Sequence, residues 1–256
     1  MSSAFRHSYQ RIARVDVGLW RGGSGDPLLF LHGSHGLAAP LPFLEDLARH
    51  YAVLAPEHPG FGRSAAPDWH GDVDDFTYFY LDLLEALAPR PVHVVGQSIG
   101  GWIAIEVAIK CQDRIRSLVM SGSPGLSVAG AAVADVFSLS DDKLITLLYA
   151  DPVLAEAARR RGSSPWAAKN AVALHRLAYA CRFIDPRLEG RLHRIKRPTL
   201  ALWGAEDQIV PPDFGKAYCA SIAGARFETI PGAAHLPHAE RPELYVGAIR
   251  AFHQGI

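Results

Sequence analysis

The stretch Val94-Val95-Gly96-Gln97-Ser98-Ile99-Gly100-Gly101-Trp102 contains a serine with a glycine two residues to either side. An apolar run precedes it and a helix-like run follows, which is the context in which G-x-S-x-G forms a tight strand-to-helix turn. Such a turn strains the serine backbone, and its glycines leave room for the neighbouring strand and helix. The pattern therefore predicts that Ser98 is a nucleophile rather than part of an ordinary Gly/Ser turn.

Short apolar runs that end in turn residues recur along the chain on both sides of this motif. They cover residues 28–31, 51–55, 91–95, 117–120, 199–203 and 226–230. Helix-like stretches lie between or after them, at residues 41–50, 74–87, 102–111, 213–221 and 242–252. This alternation is typical of βαβ units, so we expect an α/β fold with a mainly parallel sheet. Residues 9–21 are predicted to form an antiparallel hairpin ahead of it.

One long segment interrupts the alternation. Residues 126–194 hold no strand-like run but three helix-forming stretches, at 141–149, 152–161 and 166–183. This is too long for a simple connection, so we predict a helical cap at 126–194 between two core segments, 1–125 and 195–256. Ligands of open α/β sheets bind beyond the C-terminal strand ends, where such a cap would cover the site.

A serine nucleophile needs a base, and the base needs a group that orients it. His235 follows the last predicted strand and is the expected base, with His238 as its rival. Asp207 follows the preceding strand and is the expected acid; Glu206 is the fallback, and an N-cap role is the structural alternative for an aspartate before a helix. The chain order Ser…Asp…His is that of G-x-S-x-G hydrolases.

Acyl transfer also requires donors for an oxyanion. The N–H of Ile99, directly after the nucleophile, is one candidate. The second is the N–H of Ser34, with His35 as the next choice, because Gly33 and Gly36 let this loop approach the site closely. A plain glycine turn is the alternative interpretation.

Candidates for the substrate pocket are aromatic and apolar side chains of the cap together with one histidine. Packing of the cap helices on each other explains the cap residues equally well. The candidates are His35, Phe137, Leu148, Tyr149, Trp166 and Tyr179.

Composition narrows the classes of partner. The 26 basic and 26 acidic residues cancel, which gives no electrostatic footprint for nucleic acid or an anionic membrane. The N-terminus has no apolar signal region, and no apolar run approaches the roughly 20 residues that span a bilayer, so we expect a cytoplasmic protein. Three cysteines are too few for a disulfide framework. We expect a small-molecule substrate and a monomer or homodimer.

No metal or cofactor is expected. The His32/His35 and His235/His238 pairs lie in loops and lack the i, i+4 helical spacing typical of zinc sites. The sequence contains neither a G-x-G-x-x-G dinucleotide pattern nor a Walker motif.

Together these segments resemble the α/β-hydrolase superfamily. The matching motifs are Phe30-Leu31-His32-Gly33, Pro59-Gly60-Phe61-Gly62-Arg63-Ser64, Gly96-Gln97-Ser98-Ile99-Gly100-Gly101, Trp203-Gly204-Ala205-Glu206-Asp207 and Gly232-Ala233-Ala234-His235. The resemblance implies a mostly parallel sheet of eight strands or one fewer, a cap after the sixth strand, and a triad of Ser98, Asp207 and His235.

Within the superfamily, the motifs indicate less clearly which type of bond is cleaved. Ser98 replaces the aspartate nucleophile of epoxide hydrolases and dehalogenases, which excludes those two classes. His32-Gly33-Ser34 resembles the oxyanion loop of C–C bond hydrolases that act on aromatic ring-fission products, but those enzymes tend to carry Trp after the catalytic histidine, where this chain has Leu236. We therefore expect a carboxylesterase-like enzyme for small to medium apolar esters. The alternatives are a C–C hydrolase of vinylogous diketo acids and a non-catalytic ligand-binding receptor on the same scaffold.

Overall fold

The fold is built around one β-sheet, seen in a computed structural model that describes residues 5–88 and 90–256. Residues 1–4, which were predicted to belong to the first core segment, and residue 89 lie outside the described residues. Within the described part the sheet has eight strands, the larger of the two expected numbers. All six apolar runs form strands. The strands are β1 (Phe5–Ile12), β2 (Val15–Gly22), β3 (Asp26–Leu31), β4 (Tyr51–Pro56), β5 (Val92–Gln97), β6 (Ile115–Ser121), β7 (Thr199–Gly204) and β8 (Arg226–Ile230).

The strand order is β1-β2-β4-β3-β5-β6-β7-β8. Strands β3 to β8 are mutually parallel, whereas β1 and β2 pair antiparallel with each other, and β2 pairs antiparallel with β4. The strand that precedes Ser98, β5, lies between β3 and β6. Because parallel strands end at the same edge of a sheet, the loops after β3, β5, β6, β7 and β8 share one edge.

The predicted hairpin is present as β1 and β2, and its turn is unusual. Ala13 and Arg14 connect the strands with φ angles of 47° and 69°. Two consecutive positive φ angles are those of a type I′ turn, which normally contains glycine or asparagine. Because Ala13 and Arg14 are neither glycine nor asparagine, the turn was not recognisable in the sequence.

Helices cover both faces of the sheet. They are α1 (Pro42–Leu47), α2 (Val73–Leu87), α3 (Ile99–Lys110), α4 (Asp141–Leu148), α5 (Pro152–Arg161), α6 (Ala167–Ala178), α7 (Pro212–Ser221), α8 (Pro237–Glu240) and α9 (Pro242–Gln254). Alternate residues of β3 enter two separate cores: Leu29 and Leu31 pack with α2, α3 and α7, and Leu28 and Phe30 pack with α1 and α9. This arrangement agrees with the α/β-hydrolase fold expected from the sequence.

Helices α4, α5 and α6 lie between β6 and β7, and residues 126–194 are called the insertion below. Its base is closed by backbone hydrogen bonds from Gly125 to Phe183 (3.0 Å) and from Asp185 to Gly125 (2.9 Å). The predicted helix at 166–183 is too long, because α6 ends at Ala178. Arg182 and Phe183 then adopt positive φ angles of 50° and 62°, which cannot continue a right-handed helix. Among the described residues, no helix is both long and apolar enough to cross a membrane.

Candidate active site

Ser98 occupies the tight turn between β5 and α3. Its backbone angles, φ 55° and ψ −124°, are strained for a residue with a side chain. A Cβ atom on Gly96 would lie 2.5 Å from the carbonyl oxygen of Gly100, and one on Gly100 would lie 2.2 Å from that of Leu31. The glycines are therefore required for the steric reason inferred from the motif.

The three residues predicted as a triad lie within hydrogen-bonding distance of one another. The Nε2 atom of His235 is 3.1 Å from the Ser98 hydroxyl oxygen, and its Nδ1 atom is 2.9 Å from Oδ2 of Asp207. A carboxylate only accepts hydrogen bonds, so Nδ1 carries the proton and Nε2 is left to accept the serine proton. This is the arrangement that general-base activation of a serine requires.

The carboxylate of Asp207 is itself fixed by its own loop. Its Oδ1 atom accepts hydrogen bonds from the backbone N–H groups of Ile209 and Val210, both at 2.9 Å. The fallback, Glu206, instead accepts from the N–H of Gly232 at 3.2 Å. The side chain of Asp207 thus spans from its own loop to the imidazole of His235.

The rival histidine has different surroundings. His238 lies in α8, is buried, and its ring packs edge-on against Phe43 at 4.9 Å. Burial, followed by the nearby charges of His235 and His35, lowers the pKa of His238 to about 3. Its Nδ1 atom has no hydrogen-bond partner within the described part of the chain.

Close contacts between loops hold the three groups together. A Cβ atom on Gly204, at the end of β7, would lie 1.8 Å from the carbonyl oxygen of Ala234. Gly122, in the loop after β6, lies directly against the imidazole and carboxylate of the His235–Asp207 pair. The Nε2 atom of Gln97 donates to the carbonyl oxygen of His235 at 3.2 Å, which joins the β5 and β8 loops.

Both predicted oxyanion donors lie beside Ser98. Ile99 is the first residue of α3, and Ser34 lies in a turn closed by a hydrogen bond from Gly36 to Gly33 of 3.1 Å. A Cβ atom on Gly33 would be 3.2 Å from that of Ser98, so this turn reaches Ser98. Neither donor N–H is bonded to a protein acceptor within residues 5–88 and 90–256. Their roles as oxyanion donors remain predictions.

A buried histidine pair behind this turn was not anticipated from the sequence. The N–H of His58 donates to Nε2 of His32 at 3.0 Å, so Nδ1 of His32 carries the proton and donates to the Gly33 carbonyl at 2.7 Å. The C=O and N–H of a trans peptide point in opposite directions, so this bond also orients the N–H of Ser34. Burial lowers the pKa of His32 to about 4, which keeps the ring neutral at pH 7. The signal available in the sequence was only a histidine before a glycine.

A second unanticipated residue, Asn170 of α6, connects the insertion to the core. Its amide nitrogen donates to the carbonyl of His35 at 2.8 Å, and its amide oxygen accepts from the N–H of Gly62 at 2.9 Å. The neighbouring Lys169 donates to the carbonyls of Gly62 and Ser64 at 2.8 and 2.6 Å. The insertion is thus fastened to the loop that carries Ser34.

The predicted pocket residues are placed in different surroundings. Tyr149 lines a cavity of about 310 Å³ together with Glu206, Gln208 and Ala234, beside the His235 and Asp207 loops. Trp166 lies beneath the cations of Arg63 and Lys169.

Three other candidates make their contacts within the insertion or the core. Phe137 stacks on Phe183 at 5.4 Å and meets Tyr179 edge-on at 5.3 Å. Tyr179 is 42% exposed and stacks on His175, while Leu148 is buried in the core. Among the described residues these three side chains make packing contacts, and a pocket role stays a prediction.

His35 lies close enough to the triad for charges there to act on it. Part of its surface is exposed to solvent, and the protein packed around the ring keeps bulk water from the rest. This desolvation, with the charges of His235 and Arg161 acting in the same direction, lowers the pKa of His35 to about 4. Within the described residues, no group of three His, Cys, Asp or Glu side chains is arranged to hold a metal ion.

Comparison with known proteins agrees with this geometry. Residues 28–248 match the profile of the "Alpha/beta hydrolase family". The chain belongs to this family. The hydrolase is 28% identical to a 2-hydroxymuconate semialdehyde hydrolase of Pseudomonas sp. (strain CF600), over 92% of this chain and 90% of that protein. It is 26% identical to a 2-hydroxy-6-oxo-6-phenylhexa-2,4-dienoate hydrolase of Burkholderia cepacia, with coverage of 87% and 86%.

Solved structures show the same fold for the hydrolase. A meta-cleavage product hydrolase from Pseudomonas fluorescens IP01 superposes with a TM-score of 0.80 over 97% of each chain, at 21% identity. At that identity the likeness establishes the fold alone. The sequence relatives, by contrast, carry names that favour the alternative bond class, C–C cleavage, over the ester cleavage expected first.

Proposed function

We propose that this enzyme is a serine hydrolase in which Ser98 is the nucleophile, His235 the general base and Asp207 the acid that orients the base. The observation that carries the proposal is the continuous chain of hydrogen bonds from the serine hydroxyl through the imidazole to the carboxylate, at 3.1 and 2.9 Å. All three side chains are buried, which strengthens such interactions relative to water.

The reaction follows from these positions. His235 takes the proton of Ser98 as its oxygen attacks the substrate carbonyl, and the N–H groups of Ile99 and Ser34 stabilise the resulting oxyanion. The leaving group departs with the proton held by His235, and an acyl-enzyme remains. Water, activated by the same histidine, then releases the acid and regenerates Ser98. The insertion, proposed as a cap over residues 126–194, encloses the substrate.

For the bond cleaved, we propose a C–C bond in a vinylogous diketo acid. The relatives' names support this, since they describe hydrolases of conjugated oxo-acids or semialdehydes. Attack at a carbonyl of such a molecule expels a carbon leaving group whose charge spreads over the conjugated keto acid. The substrate carboxylate also needs a cation, and Arg161 has no carboxylate partner among the described residues while its charge acts on His35.

Ester hydrolysis is the second candidate, and one residue favours it. Leu236 follows His235 and packs against the hydrophobic core, where the C–C hydrolases that the sequence resembles tend to carry tryptophan.

The test compares the two substrate classes directly. The wild-type protein is assayed with a series of p-nitrophenyl esters and with a vinylogous diketo acid. Ser98→Ala should abolish both turnovers and leave the fold intact; retained turnover would refute the nucleophile. A fluorophosphonate that labels the wild type but not this variant would confirm the assignment and exclude a non-catalytic receptor.

A matched arginine pair then tests the bond class. Arg161→Leu should raise KM for the diketo acid about 10-fold or more and leave neutral esters unchanged, since a lost charge-assisted contact is worth about 1.5–3 kcal/mol. Arg160→Leu, one residue away on the same helix, is the control and should change neither value. If kcat/KM for esters exceeds that for the diketo acid and both variants behave alike, the ester assignment replaces the C–C assignment.

A further inference from the structure

Glu240, in α8, is a buried carboxylate outside the proposed triad, and only 4% of its surface is exposed. Its Oε1 atom accepts a hydrogen bond from the N–H of Ala234 at 2.7 Å. Its Oε2 atom accepts from the N–H groups of Ala150 and Asp151 at 2.7 and 3.0 Å. Ala234 directly precedes His235, and residues 150–151 form the turn between α4 and α5 of the insertion. Each oxygen therefore binds a different part of the molecule.

Within the described residues, these three peptide N–H groups are the hydrogen-bond partners of the Glu240 side chain. No ion pair joins Glu240 to a lysine, arginine or histidine within the described residues. A buried carboxylate is costly unless its oxygens are hydrogen-bonded, and bonds to a charged acceptor are stronger than neutral ones. Displacement of either the His235 loop or the turn at 150–151 would leave one oxygen without a partner in a buried environment.

We propose that Glu240 is a positioning residue that couples the insertion to the general base. The same carboxylate binds the insertion and the His235 loop. Docking of the insertion over the site and alignment of the His235 imidazole are therefore coupled. This inference rests on the proposed function, because the group that is aligned is its general base. On the other side of the site Asn170 fastens the insertion to the turn that holds Ser34. Glu240 supplies the corresponding attachment on the histidine side.

The direct test is Glu240→Gln. An amide has one acceptor oxygen, so it serves either the His235 loop or the insertion, and its NH2 group faces the donors of the other. We expect the rate of Ser98 labelling by a fluorophosphonate to fall about 10-fold or more, as small misplacements of catalytic groups do. For small p-nitrophenyl esters kcat should fall by a similar factor while KM changes less than about twofold. A defect of substrate binding alone would change KM instead.

The matched control is Glu106→Gln. Glu106 is an equally buried carboxylate in α3, bonded to Lys110 at 3.0 Å. The Glu106→Gln substitution should lower the free energy of unfolding but leave the rate of Ser98 labelling unchanged. If Glu240→Gln is folded and labels Ser98 at the wild-type rate, the proposal is wrong. If both variants slow labelling equally, the effect is general destabilisation and the proposal is again wrong.

A measurement on the wild-type protein covers the case in which Glu240→Gln does not fold. Native-state hydrogen exchange in increasing urea reports the opening of residues 148–152 and 233–236 separately. The proposal predicts that both segments open together, with the same free energy and the same urea dependence. Independent opening of the two segments would overturn it. Failure of wild-type Ser98 to be labelled would instead refute the proposed function and leave this exchange experiment valid.

Discussion

Gly122 is a position outside the proposed triad at which one added methyl group should lower activity strongly. It follows β6 with a φ of +55°, and an added Cβ atom would lie 2.9 Å from both Cε1 and Nδ1 of His235 and 3.1 Å from Oδ2 of Asp207. Gly122→Ala would thus place a methyl group against the hydrogen bond that orients the base. The substitution changes neither charge nor hydrogen-bonding capacity.

Two separate effects of this change can be estimated. The left-handed backbone conformation costs an alanine about 1 kcal/mol, which lowers Tm by about 2–4 °C in a domain of this size. Ordinary van der Waals contact begins near 3.4 Å, so the imidazole must move by about 0.5 Å from a methyl group at 2.9 Å. A displacement of about 1 Å costs about 100-fold in rate, so we expect kcat to fall between 10- and 100-fold.

Gly224→Ala separates the two effects. Gly224 has a φ of +75°, exposed surroundings and no atom within 4 Å of an added Cβ. The Gly224→Ala variant should lose the same amount of unfolding free energy, about 1 kcal/mol. It should keep full activity with p-nitrophenyl esters and full reactivity with a fluorophosphonate. Equal activities of the two variants would refute the reasoning, because the contact with the imidazole would then have no consequence.

Three further changes test other parts of the structure. Asp207→Asn should lower kcat about 1,000-fold or more by favouring the wrong imidazole tautomer, whereas Glu206→Gln should retain activity in the same ester assay; the reverse result would reassign the acid. Asn170→Ala removes two hydrogen bonds, to His35 and Gly62, and should cost about 2 kcal/mol in urea unfolding and slow Ser98 labelling; labelling at full rate would show that the Ser34 turn does not depend on the insertion. Burial and the charges of His93 and Arg116 lower the pKa of His253 to about 3 from 6.5, so it is neutral when folded and takes a proton on unfolding. Stability should therefore be lost as pH falls from about 6.5 towards about 3, and His253→Gln should reduce that slope by about 1.4 kcal/mol per pH unit in urea titrations; an unchanged slope would contradict the assignment.

The sequence sufficed for the parts of the site that depend on strand ends. The apolar runs placed β5, β7 and β8, and a parallel sheet brings the residues after such strands to one edge. Ser98, Asp207 and His235 were predicted to meet for this reason, and the structure brings them within hydrogen-bonding distance. Local glycine patterns were informative as well, since Gly96 and Gly100 are required by contacts within the same turn.

The supporting residues could not be predicted because their partners are distant in the chain. Asn170 binds residues 135 and 108 positions away, and Glu240 binds a turn 90 positions away. Nothing in the local pattern distinguishes a polar residue on an amphipathic helix that faces a core loop from one that faces solvent. The same limit applies to the pocket candidates: the sequence shows that Phe137 and Tyr179 are aromatic, but their mutual contact depends on how helices of the insertion pack.

The preference for ester or C–C cleavage depends on contacts between residues that are far apart in the chain, and not on the triad. Both proposed reactions would begin with the same attack of Ser98 and form the same kind of oxyanion, so the geometry at 3.1 and 2.9 Å suits either. They differ in the leaving group, which takes a proton on oxygen in one case and on carbon in the other, and in whether that group carries a carboxylate. Residues that contact the leaving group must therefore make the distinction. Among the described residues Arg161 is a cation without a carboxylate partner, which suits an acid, whereas Leu236 stands where the C–C hydrolases that the sequence resembles tend to carry tryptophan. A KM that responds to Arg161 with the acid and not with the ester would place the specificity of this enzyme in its insertion.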